Sequence, residues 1–514
     1  MSIQLPTGRS VLTDPTQDQL RDLVAQMSNA RRTEFGNYNV TTQITARSAG
    51  STFIVTDDPG FSEKQTMSRT DYDVLAARQD AHIADQDMIL VTGFIGPEGS
   101  SYRVPTRLYI ERSAPNIPAM QQQLYFPADA EWDETRAFTV IYTPTLPAPD
   151  YPDDLVIAID LENWVTRVIG VDYFGESKMG SLRMWNEWVY ARDGLAMHSG
   201  AKVIPTPDGD RVALIVGLSG TGKTTTTFTR QNDSLPVQDD FVALAAGGAV
   251  HSTENGCFAK TFSLDPEFEP TIYRALTKPG SWLENVAVDD QGHVDFTDAS
   301  YTANGRGTFG LADIPHFDPR KLGRADFLLI LNRNSDIVPA VARMTSIEQA
   351  VAYFMLGETR GTSAGGKAEA GKSLRVPGTN PFFLQFDYMQ GNRMGELIRS
   401  MDYDFGVYVL NTGEIGGAND PDEGKPVRID HSSAIVKAIA EDSISWTPDP
   451  DFGYWVAEHV PGIDDPDILE PRRRYAAQGR EDEYDARVAE LKHERVEYLA
   501  THEGLDEAVR AALQ

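Results

Sequence analysis

Five consecutive apolar residues, Val212-Ala213-Leu214-Ile215-Val216, run directly into Gly217-Leu218-Ser219-Gly220-Thr221-Gly222-Lys223-Thr224 and then Thr225-Thr226-Thr227. An unbroken apolar run of this length suits a strand buried on both faces of a sheet. The segment after it fits the pattern G-x-x-x-x-G-K-[ST], and the threonines that follow can begin a helix. Strand, glycine loop and helix in that order define a phosphate-binding loop inside an α/β unit. Glycines let backbone N–H groups turn inward around phosphate oxygens. The helix start adds positive potential. Lys223 reaches the terminal phosphates, and the Thr224 hydroxyl can ligate Mg²⁺. The chain is therefore read as a nucleotide-dependent phosphoryl-transfer enzyme.

At 514 residues the chain exceeds one ordinary core, and two to four domains are expected. Composition changes near Gly194, which suggests domains over 1–193 and 194–514. In the first, Phe53-Ile54-Val55, Met88-Ile89-Leu90-Val91 and Phe138-Thr139-Val140-Ile141-Tyr142 read as strands. Helical periodicity is weak there, apart from residues 17–27. In the second, strands are expected around Leu235-Pro236-Val237, at Phe327-Leu328-Leu329-Ile330-Leu331 and over 405–410. Residues 361–378, rich in Gly, Ala and Lys, read as a mobile surface loop and a candidate lid. In the tail, Tyr484, Val488 and Leu491 fall at helical spacing.

The net charge is −30, with 76 Asp+Glu against 46 Lys+Arg. Such a surface repels nucleic acid and anionic membranes. A phosphate-binding protein of this charge must gather its few cations locally, so Lys and Arg beside the glycine loops are informative. The single cysteine, Cys257, excludes an intrachain disulfide and fits a reducing compartment. No signal peptide and no membrane-spanning apolar run is evident. A cytoplasmic enzyme, monomeric and acting on small molecules, is expected.

Other segments carry weaker chemistry. Asp239-Asp240, at the end of a strand downstream of the loop, can hold a divalent metal or orient its waters. His198, in Met197-His198-Ser199, is either a satisfied local hydrogen-bonding group or a metal ligand. Tyr173-Phe174-Gly175-Glu176-Ser177-Lys178-Met179-Gly180 is a second glycine-flanked segment with a lysine. Arg47 and Arg306 stand beside small residues, where a guanidinium fork can meet a carboxylate or phosphate.

Taken in order, these segments resemble ATP-dependent phosphoenolpyruvate carboxykinase, in scattered blocks along nearly the whole chain. The 217–225 loop is similar almost residue for residue, Ser219 included. Cys257-Phe258-Ala259-Lys260-Thr261, Leu283-Glu284-Asn285-Val286, Asn411-Thr412-Gly413 and Leu469-Glu470-Pro471-Arg472 match further blocks. The resemblance implies a mixed α/β fold, with a substrate-binding domain over 1–193 and a P-loop nucleotide-binding domain over 194–514. It implies that ATP phosphorylates the enolate left by decarboxylation of oxaloacetate, giving phosphoenolpyruvate. Arg47 would hold the substrate carboxylate, Tyr173 would lie near the CO₂ site, and Lys178 beside the transferred phosphoryl group. His198 and Asp240 would ligate Mn²⁺. Gly217, Leu218, Ser219, Gly220, Thr221, Gly222, Lys223, Thr224 and Thr225 would cradle the phosphates, with Mg²⁺ on Thr224. Lys260 would lie near the nucleotide, and Arg306 would neutralise charge between nucleotide and substrate. Arg428 and Ser432 fall in the adenine-contacting stretch.

The chain also departs from that family. Met179 stands where a second lysine, an amine ligand of Mn²⁺, is expected, and a thioether is a poor ligand for a hard ion. The block after Arg47 reads Ser48-Ala49-Gly50-Ser51, without the expected Lys and Asp. Asn380-Pro381-Phe382-Phe383 replaces a small-residue block around a cysteine, and Pro426 stands for an arginine. A divergent small-molecule kinase with another phosphate acceptor, and a nucleotide-binding regulator, are the competing readings.

Overall fold

The computed structural model describes residues 3–58, 60–218, 220–334, 336–360, 373–417 and 424–514. Ser219 and most of the 361–378 segment lie outside the described residues. The fold is mixed α/β and divides into two compact units. The first comprises Met1–Arg192, Thr253–Pro315 and Phe382–Phe386, the second Asp193–Ser252, His316–Pro381 and Asp387–Gln514.

A nine-stranded mixed sheet forms the centre of the first unit. Its main path runs Ser10–Thr13, Asp87–Ile95, Val104–Glu111, Phe138–Thr143, Val165–Ile169, Val156–Asp160, Thr52–Val55, Thr66–Met67. Each of the three strands read from the sequence in this region is present. The helix Phe174–Tyr190 lies against the middle of this sheet, where Thr166 Oγ1 donates to the Gly180 carbonyl at 2.8 Å. Residues around its whole circumference are buried, so no apolar stripe marks it in the sequence. A five-stranded sheet stands beside these elements in the order Gly256–Lys260, Arg306–Gly310, Trp282–Glu284, Tyr38–Val40, Ala30–Arg32. It is how Thr253–Pro315 joins the first unit, because Trp282–Glu284 pairs in parallel with Tyr38–Val40.

The second unit is built on an eight-stranded sheet in the order Leu235–Gln238, Ser199–Thr206, Gly209–Val216, Phe327–Asn332, Gly406–Asn411, Val341–Arg343, Trp455–His459, Ser445–Pro448. Gly209–Val216, Phe327–Asn332 and Gly406–Asn411 are mutually parallel. The alternation along the apolar run explains its continuity. Val212, Leu214 and Val216 enter one core with the helices Ile347–Leu356, Tyr388–Arg399 and Glu481–Ala500. Ala213 and Ile215 enter a second core with Ile435, Val436 and Ile439 of the helix Ile429–Ala440. Tyr484, Val488 and Leu491 are buried in the tail helix, as their spacing predicts. Among the described residues no helix is long and apolar enough to cross a membrane.

Candidate active site

In the second unit the apolar strand ends at Val216, and the chain turns through the glycine loop into a short helix, Lys223–Phe228. Two loop glycines have positive φ, 86° at Gly220 and 91° at Gly222, a conformation that side chains with a Cβ resist. Thr221 fastens the turn from within, its N–H and its Oγ1 both donating to the Leu218 carbonyl, at 3.1 and 2.8 Å. The first amides of a helix lack acceptors within it, which is why a helix start after a glycine loop suits a phosphate. The other end of this helix is held by Lys202. Its ammonium is fully buried and donates to the Thr226 carbonyl at 2.9 Å, and to the Thr229 carbonyl and Gln231 Oε1 at 2.5 Å each. A cation at the carbonyl end complements the helix dipole, although burial pushes the ammonium's pKa down to about 7. Nothing in the loop motif announces Lys202. Its role is visible only once the strand Ser199–Thr206 is seen beside the helix.

Asp240, beyond the end of Leu235–Gln238, gathers two of the expected residues. Lys223 Nζ lies 3.0 Å and His198 Nε2 2.9 Å from the same oxygen, Oδ1. His198 Nδ1 is 2.9 Å from the Thr379 carbonyl, which can only accept, so Nδ1 carries a proton and Nε2 is turned to Asp240. Burial first, and then the Lys223 charge, hold the imidazole below its ordinary pKa, while Asp240 and the Thr379 carbonyl oppose them. A neutral imidazole whose other nitrogen donates to a carbonyl is the usual state of a ligating histidine. The convergence of Nε2 and a carboxylate oxygen fits a divalent ion such as Mn²⁺. Among the described residues no group of three or more His, Cys, Asp or Glu is placed to hold a metal.

Arg428 and Ser432 sit at the start of the helix Ile429–Ala440. Arg428 is exposed and turned back to Asp430 at 2.9 Å. Ser432 is buried, and its neighbour Ser433 accepts from Gln231, the residue that also receives Lys202.

The first unit brings together the other expected residues. Lys260, Arg306 and Glu284 form a row across three adjacent strands, with Lys260 and Glu284 both opposite Arg306. Like charges directly opposite each other are destabilising in a sheet. Burial and then Arg306 push Lys260 down to about 8. Such a pair is suited to an anion. Arg306 Nη2 donates to Asn304 Oδ1 at 2.9 Å, and Asn304 Nδ2 donates to the Thr45 carbonyl at 2.6 Å. Asn304 thus ties Arg306 to the segment that carries Arg47, although its own position in the sequence gives no sign of this.

Arg47 is exposed, with its guanidinium 5.7 Å from the Phe382 ring. The next residue is anchored, because Ser48 N–H donates at 2.7 Å to Glu176 on the helix Phe174–Tyr190. Lys178 and Met179, on that helix, are 1% and 7% exposed. Lys178 Nζ pairs with buried Glu254 at 2.9 Å. Glu254 is a second partner that sequence reasoning did not single out.

A family model described as phosphoenolpyruvate carboxykinase matches residues 9–466. Among similar proteins, phosphoenolpyruvate carboxykinase (ATP) of Aeropyrum pernix is 33% identical, the match covering 76% of each chain. The protein of that name from Rhizobium rhizogenes is 30% identical over 95% of this chain and 92% of the relative. That from Alkaliphilus oremlandii is 29% identical over 91% and 90%.

Proposed function

This chain belongs to the phosphoenolpyruvate carboxykinase family, and from that premise we propose that it converts oxaloacetate and ATP to phosphoenolpyruvate, CO₂ and ADP. The observation that carries the reading is the meeting of Lys223 and His198 at one oxygen of Asp240, beside the glycine loop. A loop lysine and a metal-competent pair at one place are what phosphoryl transfer requires.

In this proposal Arg47 holds a carboxylate of oxaloacetate, and Tyr173 lies near the departing CO₂. The bond to the β-carboxylate breaks, and its electron pair forms the enolate. Lys178, anchored by Glu254, and Arg306 offset the negative charge at the reacting groups, an electrostatic task. The enolate oxygen attacks the γ-phosphorus as ADP leaves. Lys223 and the amides of 217–225 stabilise the charge that moves onto the leaving group, with Lys260 near the nucleotide. Arg428 and Ser432 serve the base. Divalent metals, Mn²⁺ at His198 and Asp240 and Mg²⁺ at Thr224, supply further positive charge when bound. The lone buried Cys257 and the −30 charge support a reducing, cytoplasmic setting and a monomer that acts on small molecules, without nucleic acid or membrane.

The test is direct. Purified protein given oxaloacetate, ATP and Mn²⁺ should release phosphoenolpyruvate and CO₂. No product beside intact MgATP binding would favour a kinase with another acceptor, the reading that Met179 and the altered Ala49–Ser51 turn favour.

A further inference from the structure

The three parallel strands of the second unit end on one edge of the sheet, where α/β folds bind their ligands. Gly209–Val216 delivers the glycine loop there, Phe327–Asn332 delivers Arg333, and Gly406–Asn411 delivers Thr412. Both neighbours touch the loop. Thr412 Oγ1 donates to the Thr221 carbonyl at 2.7 Å, and Arg333 Nη1 to the Gly220 carbonyl at 3.2 Å. The backbone after Arg333 is pinned as well, since Asn334 N–H donates to Asn411 Oδ1 at 3.0 Å and its carbonyl accepts from Glu414 N–H at 2.9 Å.

Arg333 is exposed, and among the described residues its guanidinium makes no ion pair. On the same sheet Arg211 and Arg343 are paired, with Asp326 and Asp404. In a chain with 76 acidic against 46 basic residues, an arginine at the phosphate loop without a carboxylate partner has donors left for a ligand.

We propose that Arg333 binds the α- and β-phosphates of the nucleotide, beside the loop residues Gly220 and Thr221 that it and Thr412 hold. The sheet order assigns the position along the polyphosphate. His198 precedes and Asp240 follows strands on one side of the loop strand, and Arg333 and Thr412 follow strands on the other. The side of His198, Asp240 and Lys223 suits the terminal phosphate and metal, which leaves the inner phosphates to Arg333. The inference rests on the nucleotide-binding reading above.

The full-length protein is titrated with MgATP and with MgADP, as wild type, Arg333→Gln and Arg333→Lys. Losing one charge-assisted contact should weaken both nucleotides by about tenfold in Arg333→Gln. Arg333→Lys, which keeps the charge and loses the fork, should fall between. Unchanged MgADP affinity in Arg333→Gln, with the wild type binding normally, overturns the proposal and leaves the nucleotide reading standing. Weakening of MgATP alone overturns the assignment to the inner phosphates. A wild type that binds neither nucleotide overturns both.

Discussion

Glu284 is fully buried, and the one hydrogen bond of its carboxyl group among the described residues is accepted from the Phe174 N–H at 3.0 Å. Removal from water disfavours the charged carboxylate. The Phe174 N–H and Arg306 oppose that effect and Asp172 adds to it, leaving the acid pushed up to about 8 from its ordinary 4.5. The folded state therefore keeps a proton that the unfolded chain releases. The stabilisation is fully present below about pH 4.5 and is lost as pH rises through about 8. Glu284→Gln keeps an acceptor for Phe174 and removes the titration. Denaturant unfolding across this window should show stability declining with pH in the wild type and a flatter profile in the variant. Equal slopes would assign the pH dependence to other groups. Met179 poses a different question, because the resemblance expects an amine there. Met179→Lys should tighten Mn²⁺ binding, read by the signal of free Mn²⁺ in titration, and an unaltered affinity would remove this position from the metal's surroundings.

The short Lys223–Phe228 helix depends on the strand beneath it. A Cβ at Gly200 would collide with Thr227 Oγ1 and come within 3.3 Å of its Cβ. Gly200→Ala should therefore displace the helix, lowering stability by about 1–3 kcal/mol and weakening MgATP binding. Gly200→Ala with Thr227→Ala should recover much of both, and a double variant as weak as the single one would show that the contact is not the cause. The sequence reveals this element because its parts are local: apolar run, glycines, lysine and threonines are consecutive. The strands Phe327–Asn332 and Gly406–Asn411 were legible for the same reason, as uninterrupted apolar runs buried on both faces. The helix Arg69–Ile83 was not, because it turns Gln79 inward along with Tyr72, Leu75 and Ile83. Gln79 is held by the carbonyls of Ile141 and Val168 and by Thr143. Site residues that act through distant partners were hidden too. Asn304 meets Thr45 across 259 positions, and Glu254 meets Lys178 across 76. No local pattern encodes such pairings.

At the scale of the whole molecule, a polyanionic nucleotide must approach a chain of net charge −30. The cations at the glycine loop that would receive it are few and local: Lys223 and Arg333. Two electrostatic ranges therefore compete. At about 0.01 M salt the screening length is about 30 Å, so the repulsion of the whole acidic surface reaches the incoming nucleotide. At about 0.15 M it is about 8 Å, and repulsion from distant carboxylates fades while cations at the site still act. At about 1 M it is about 3 Å, and their attraction is screened as well. The association rate of MgATP, followed by stopped-flow fluorescence at fixed Mg²⁺, should therefore rise with added salt, pass through a maximum and then fall. A basic nucleotide-binding surface would give a decline throughout. A steady decline here would mean that the local cations govern approach even at low salt, and that the acidic surface has no part in it.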